Sequence, residues 1–111
     1  MQILKLLDKC DIVISYDIID FKRWENGFYY KAKIALKDKC LLYAKEYVDQ
    51  KERVYSFHWQ DKRGNLIIRW DNSPHHKRIA TFPHHKHVGD EVTENILITL
   101  EDVLEYIKHA V

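Results

Sequence analysis

Cysteine, proline and glycine are all scarce in this chain of 111 residues, at two, two and three copies. Two cysteines, Cys10 and Cys40, are too few for the disulfide framework of a small secreted domain. The expectation for both is a reduced, buried thiol. So few glycines and prolines leave no room for a long flexible linker. No apolar run approaches the roughly 18 residues of a membrane span, and no basic-then-apolar segment opens the sequence. The expected location is therefore the cytosol, with no membrane partner. Net charge is nearly absent too, at +1 with histidine neutral, so the overall charge does not by itself suggest nucleic acid. What is present is 46% hydrophobic and 13% aromatic residues, the composition of a folded globular protein. The length suits one domain, residues 1–111, with a single modest core.

Histidine breaks this pattern. The stretch from Asp71 to His87 contains Pro-His-His-Lys twice, at 74–77 and 83–86, and then adds His87. Five of the seven histidines lie here, and a sixth, His58, stands just upstream. Both prolines fall in the same stretch, which excludes a helix interior or a central strand. The segment reads as a positioned loop, where functional residues collect. Charge is also uneven. Residues 58–87 hold six Lys/Arg against Asp61 and Asp71, whereas residues 88–107 hold six acids and no Lys or Arg. The histidine region is thus locally cationic, and more so below about pH 6.5.

Taken in order, Ile3, Leu4 and Leu7 predict a short amphipathic helix. Residues 11–21 are β-branched and aromatic, with Ile12, Ile14, Tyr16 and Ile18 on one side of a strand. Asn26-Gly27 predicts a hairpin turn with positive φ. Beyond it Phe28, Tyr30, Ala32, Ile34 and Leu36 alternate with Tyr29, Lys31 and Lys33. Residues 40–48 fit a strand better than a helix. Tyr55, Phe57 and Trp59 then alternate with Ser56, His58 and Gln60, and Asp61–Gly64 closes a hairpin onto a return strand from 65 to 71. That pairing sets Arg69 and Asp71 opposite in face to Leu66, Ile68 and Trp70, so His58, Arg69 and Asp71 gather on one polar side. Thr99 caps a final helix whose stripe is Leu100, Val103, Leu104 and Ile107. The expected fold class is α+β: an antiparallel meander of about five strands, with a short N-terminal helix and a C-terminal helix on one face.

Three chemistries compete for the histidines. In the first, two imidazoles act as general base and acid in cleaving RNA. The 2′-hydroxyl attacks the adjacent phosphate, which needs a base, an acid for the leaving oxygen and a cation near the phosphate. His58 pairs with one of His75, His76, His84, His85 or His87; Arg69 or Lys86 supplies the cation, and Asp71 orients an imidazole. Tyr55, Trp59, Trp70 and Phe82 are candidates to stack bases. In the second, the histidines hold zinc, nickel or copper, although His75-His76 and His84-x-x-His87 match no closed site. In the third, they cap turns or face solvent, as adjacent residues of an extended loop point opposite ways.

Tyr55-Ser-Phe-His-Trp-Gln-Asp61, Arg69-Trp-Asp-Asn-Ser-Pro-His-His76 and Thr81-Phe-Pro-His-His-Lys-His-Val-Gly89, in that order, resemble the TumE family of small prokaryotic toxins. The closing helix from Thr99 is also similar to the family. The resemblance implies a toxin encoded beside a helix-turn-helix antitoxin, and it implies RNA cleavage as the activity. It carries over to His58, Arg69, Asp71, His75, His76, His84, His85 and His87. The combined expectation is a ribonuclease toxin that needs no metal or cofactor, with RNA as substrate and an antitoxin as partner. An uncovered strand edge adds the expectation of a homodimer. The alternative is a non-enzymatic metal- or nucleotide-binding module, or a pure interaction protein.

Overall fold

A computed structural model describes residues 2–72 and 98–110 with their side chains, and the backbone of 85–88 and 91–94. Helix α1 (Gln2–Lys9) is followed by strands β1 (Val13–Trp24), β2 (Gly27–Leu36), β3 (Leu41–Val48), β4 (Arg53–Gln60) and β5 (Leu66–Asp71). Two short strands, β6 (His85–Val88) and β7 (Glu91–Glu94), precede helix α2 (Leu100–Ala110). The strands form one antiparallel sheet in sequence order, β1 to β7. The five expected strands and both expected helices are therefore present, and β6 and β7 extend the meander.

Alternation along the strands divides the sheet into two faces. One face packs Tyr30, Ala32, Ile34, Leu42, Ala44, Phe57, Trp59, Ile68 and Trp70 into the core. Leu7 of α1 and Leu100, Val103, Leu104 and Ile107 of α2 complete that core. The helical stripe of α2 thus does the work expected of it, and Tyr106 meets the rings of Trp59 and Trp70 edge-on. Thr99 and Asp102 cap the helix reciprocally: the Asp102 amide donates to Thr99 Oγ1 and the Thr99 amide donates to Asp102 Oδ2, which satisfies end groups the helix cannot. The other face of β2–β5 carries no helix among the described residues. Both cysteines are free; Cys40 is buried, but Cys10 is only half-buried.

Two irregularities depart from simple alternation. Register shifts in β1, between Val13 and Ser15 and between Ile18 and Asp20, insert extra residues into the edge strand. Ile12 is buried as expected, but Ile14 lies outside the alternation and is 65% exposed. A shift beside Trp59 sets Leu66 opposite Gln60, so Ile67, not Leu66, packs against the core. Turn chemistry holds two other corners: Asp49 Oδ1 accepts the amides of Lys51 and Glu52, and Asp61 Oδ1 accepts those of Arg63 and Asn65.

The Asn26-Gly27 turn is built differently from its sequence signature. Neither residue has positive φ; that conformation occurs at Asp38, Lys39 and Gly64. Gly27 is required for space instead, since a Cβ there would collide with the Val48 carbonyl oxygen and lie 2.7 Å from Trp24 Nε1. Gly27→Ala is expected to destabilise the protein by about 1–3 kcal/mol, the usual cost of forced overpacking. Urea unfolding would register it as a lower midpoint with an unchanged slope.

Candidate functional site

His58 sits in the middle of β4 on the open face. Its neighbours across the sheet form a row: Lys33, Tyr43, His58, Arg69 and His87 are successive cross-strand partners. The adjacent row on the same face runs Lys31, Lys45, Ser56, Asp71 and His85. Period-two alternation in the β4–β5 hairpin makes this gathering possible, since it puts every second residue on one surface. The expected union of His58, Arg69 and Asp71 is present.

Arg69 Nε lies 3.1 Å from Asp71 Oδ2. Asp71 is buried, at 3% exposure, while the Arg69 side chain is 45% exposed. The carboxylate therefore anchors one edge of the guanidinium and leaves the group accessible to an anion. His58 is half-buried, touches the Tyr43 ring edge-on with centroids 6.3 Å apart, and is hydrogen-bonded by the Gln60 side chain. Burial, and then the Arg69 cation, hold its imidazole below the ordinary histidine value, against an opposing contribution from Gln60. His58 is thereby kept neutral near pH 7, the form a general base requires.

Asn72, the next residue, is buried at 8% exposure. Its Oδ1 accepts the Tyr55 amide at 2.8 Å, and its Nδ2 donates to the Arg53 carbonyl at 2.5 Å. A side-chain amide thus continues the ladder past the end of β5 and fixes where the chain leaves the sheet. Its bonds make it a clamp between β4 and β5.

The loop expected from Asp71 to His87 is corrected at its far end. His85–Val88 is a strand paired with β5, with Asp71 opposite His85 and Arg69 opposite His87. An unpaired β5 edge offers amides and carbonyls that need partners, and the four residues after Pro83–His84 supply them. His85 and His87 therefore hold register positions in the rows of Asp71 and Arg69. Lys86 is opposite Trp70, in the row that includes Phe57, so its register is not that of Arg69. His75, His76, His84 and Phe82 lie outside the described residues.

The base-stacking assignments also need correction. Trp59, Tyr55 and Trp70 are buried on the helix side, at 4%, 2% and 1% exposure. Side chains next to His58 and Arg69 in sequence point through the sheet to its other face. The aromatics that share the surface of His58 are Tyr29, Tyr43 and Tyr47, with the Trp24 ring tilted against Tyr47 at 5.5 Å between centroids.

Behind the sheet, a groove of about 680 Å³ is bounded by α1, β1, β2 and the start of α2. Tyr30, Glu46 and Arg53 line it. Glu46 accepts hydrogen bonds from the Tyr30 hydroxyl and from Arg53 Nε and Nη2, the latter two at 2.9 and 2.5 Å. Among the described residues no group of three or more His, Cys, Asp or Glu is arranged to hold a metal ion, but the metal reading turned on histidines outside that set. No described helix is long and apolar enough to cross a membrane.

Comparison with curated proteins returned no match, and comparison with solved structures returned none either. A family model described as toxin TumE matches residues 3–111. This span takes in the His58–Arg69–Asp71 constellation, the histidine segment and both helices, and on that match the chain belongs to the TumE toxin family.

Proposed function

We propose that this toxin acts by cleaving RNA, with His58 as general base, a histidine of β6 as general acid and Arg69 as the phosphate-binding cation. The observation that carries the reading is the row His58, Arg69, His87. Strand spacing puts the two histidine backbones about 10 Å apart with Arg69 between them. A phosphodiester seated on Arg69 then has a base on one side and an acid on the other. His58 takes the proton of the 2′-hydroxyl as that oxygen attacks phosphorus. The bond from phosphorus to the 5′-oxygen breaks, and the acid protonates the departing oxygen. The products are a 2′,3′-cyclic phosphate and a 5′-hydroxyl end. Asp71 has a positioning role through Arg69, and no metal ion or cofactor enters the scheme. A toxin has an antitoxin partner; here that partner is a helix-turn-helix protein encoded beside the toxin, and both act in the cytosol.

The test is incubation of purified, tag-free protein with RNA in excess chelator. Cleavage with cyclic phosphate ends is the expected result. Intact RNA, or activity lost to chelator and restored by zinc or nickel, would overturn the scheme, the latter in favour of the metal reading. The pH profile provides a second check. A base depressed by burial and by Arg69 places the acid limb of kcat/KM below about pH 6.5. Arg69→Gln removes the cationic part of that depression, so the limb should move to higher pH while the plateau falls. An unmoved limb would exclude His58 as the base.

A further inference from the structure

We infer that the open face of the sheet across β2, β3 and β4 is a track for single-stranded RNA, leading the strand to His58 and Arg69. The inference rests on the RNA-cleaving reading above and names the surface that would hold its substrate.

The composition of this face is selective. On β2 it presents Tyr29, Lys31 and Lys33; on β3, Tyr43, Lys45 and Tyr47; on β4, Ser56, His58 and Gln60; the apolar Ala35, Leu41 and Val54 stand at its two ends. Lys31, Lys33 and Lys45 are exposed, and the three tyrosines are half-exposed. No acidic side chain belongs to this face of β2, β3 or β4; Glu46 belongs to the other surface, bound to Tyr30 and Arg53. Acids enter at the margins: Asp17 and Asp20 of β1 stand opposite Lys33 and Lys31, Asp49 accepts a hydrogen bond from the Tyr47 hydroxyl at 2.8 Å, and Asp71 holds Arg69. A chain with a net charge of +1 has thus concentrated cations and aromatic rings on one surface.

That combination fits a flexible polyanion with flat bases. Single strands bind by stacking bases on aromatic side chains while cations follow the backbone. Tyr43 and Tyr47 lie four residues apart on β3, or roughly 13 Å, with Lys45 between them. Tyr43 touches His58, so a base stacked on it is next to the reacting phosphate. Tyr47 and Trp24, already packed together, receive a base farther along. A protein partner fits less well, because lysine is depleted at protein interfaces.

The experiment measures binding of a fluorescein-labelled 2′-O-methyl oligoribonucleotide of about 12 nucleotides, which cannot supply the attacking hydroxyl. Each lost phosphate contact lowers the salt dependence of log K against log[salt] by about 0.7. Lys31→Gln/Lys33→Gln/Lys45→Gln should therefore reduce that slope by about 2. Tyr43→Ala should weaken binding roughly 10-fold, and Lys5→Gln/Lys9→Gln, on α1, should leave it unchanged. Melting temperature controls for folding, and if the triple variant is misfolded, Lys45→Gln alone should lower the slope by about 0.7. An unchanged slope overturns the track. So does a loss confined to antitoxin binding, which would assign the face to the protein partner. If the wild type binds the methylated strand but leaves ordinary RNA intact, the catalytic reading fails and the track stands. If it cleaves RNA and the face variants bind and cleave like wild type, the track fails and the catalytic reading stands.

Discussion

Substituting His58 by alanine is expected to lower RNA cleavage by about 10²–10⁴-fold, the range a positioned acid or base contributes. Growth arrest on expression should disappear with it, while the melting temperature stays near that of the wild type, because a half-buried polar side chain at the open face anchors no core. The histidines of β6 should respond unequally. His87→Ala is expected to match the loss at His58, since the proposed scheme seats the phosphate on Arg69, between those two positions in the row. His85→Ala, one row away beside Asp71, should have a smaller effect. Gel-based cleavage of RNA, run alongside thermal melts, separates these outcomes from unfolding. Full activity in His58→Ala would remove the acid–base scheme altogether.

Replacing Glu46 by alanine is expected to destabilise the fold by about 2–4 kcal/mol. That is somewhat below the cost of breaking a fully buried ion pair, since the Arg53 side chain keeps 22% exposure. The cause is what the substitution leaves behind. The Arg53 guanidinium is stacked over the Tyr55 ring at 4.3 Å and already has one buried nitrogen, Nη1, without a described partner. Burial and the Glu46 charge push the Tyr30 phenol far above its ordinary range, so it remains a protonated donor aimed at Glu46. Removing the carboxylate strands both donors at once. Replacing all three groups together, as Tyr30→Phe, Glu46→Leu and Arg53→Met, should recover much of the loss. Urea midpoints at constant slope provide the comparison. Equal stability of Glu46→Ala and wild type would mean that this network contributes nothing.

The parts legible in the sequence were those governed by strict alternation. The hairpin from Val54 to Asp71 has one apolar and one polar residue in turn, so the meeting of His58, Arg69 and Asp71 followed from pairing alone. The same alternation excludes Trp59 from that meeting, because its parity is opposite to that of His58. Ile14 was not legible, since a bulge depends on edge-strand sterics and leaves no mark in composition. Gly27 carried a turn signature but is required by the approach of Val48, a residue 21 positions away. The strand at His85–Val88 was hidden by length: four residues after a proline are too short a run for periodicity to identify. The role of Asn72 was not legible because its partners, Arg53 and Tyr55, are distant in sequence.

Every strand in this sheet pairs with its neighbour in sequence. During synthesis each hairpin can therefore close as soon as its second strand appears, without waiting for a distant partner. The helix side follows a different schedule. Trp59 and Trp70 meet Tyr106 only when α2 arrives, bringing with it Leu104 and Ile107 to complete the core. Between those two moments the nascent chain has an assembled sheet with an uncovered aromatic surface, the species on which a chaperone would act.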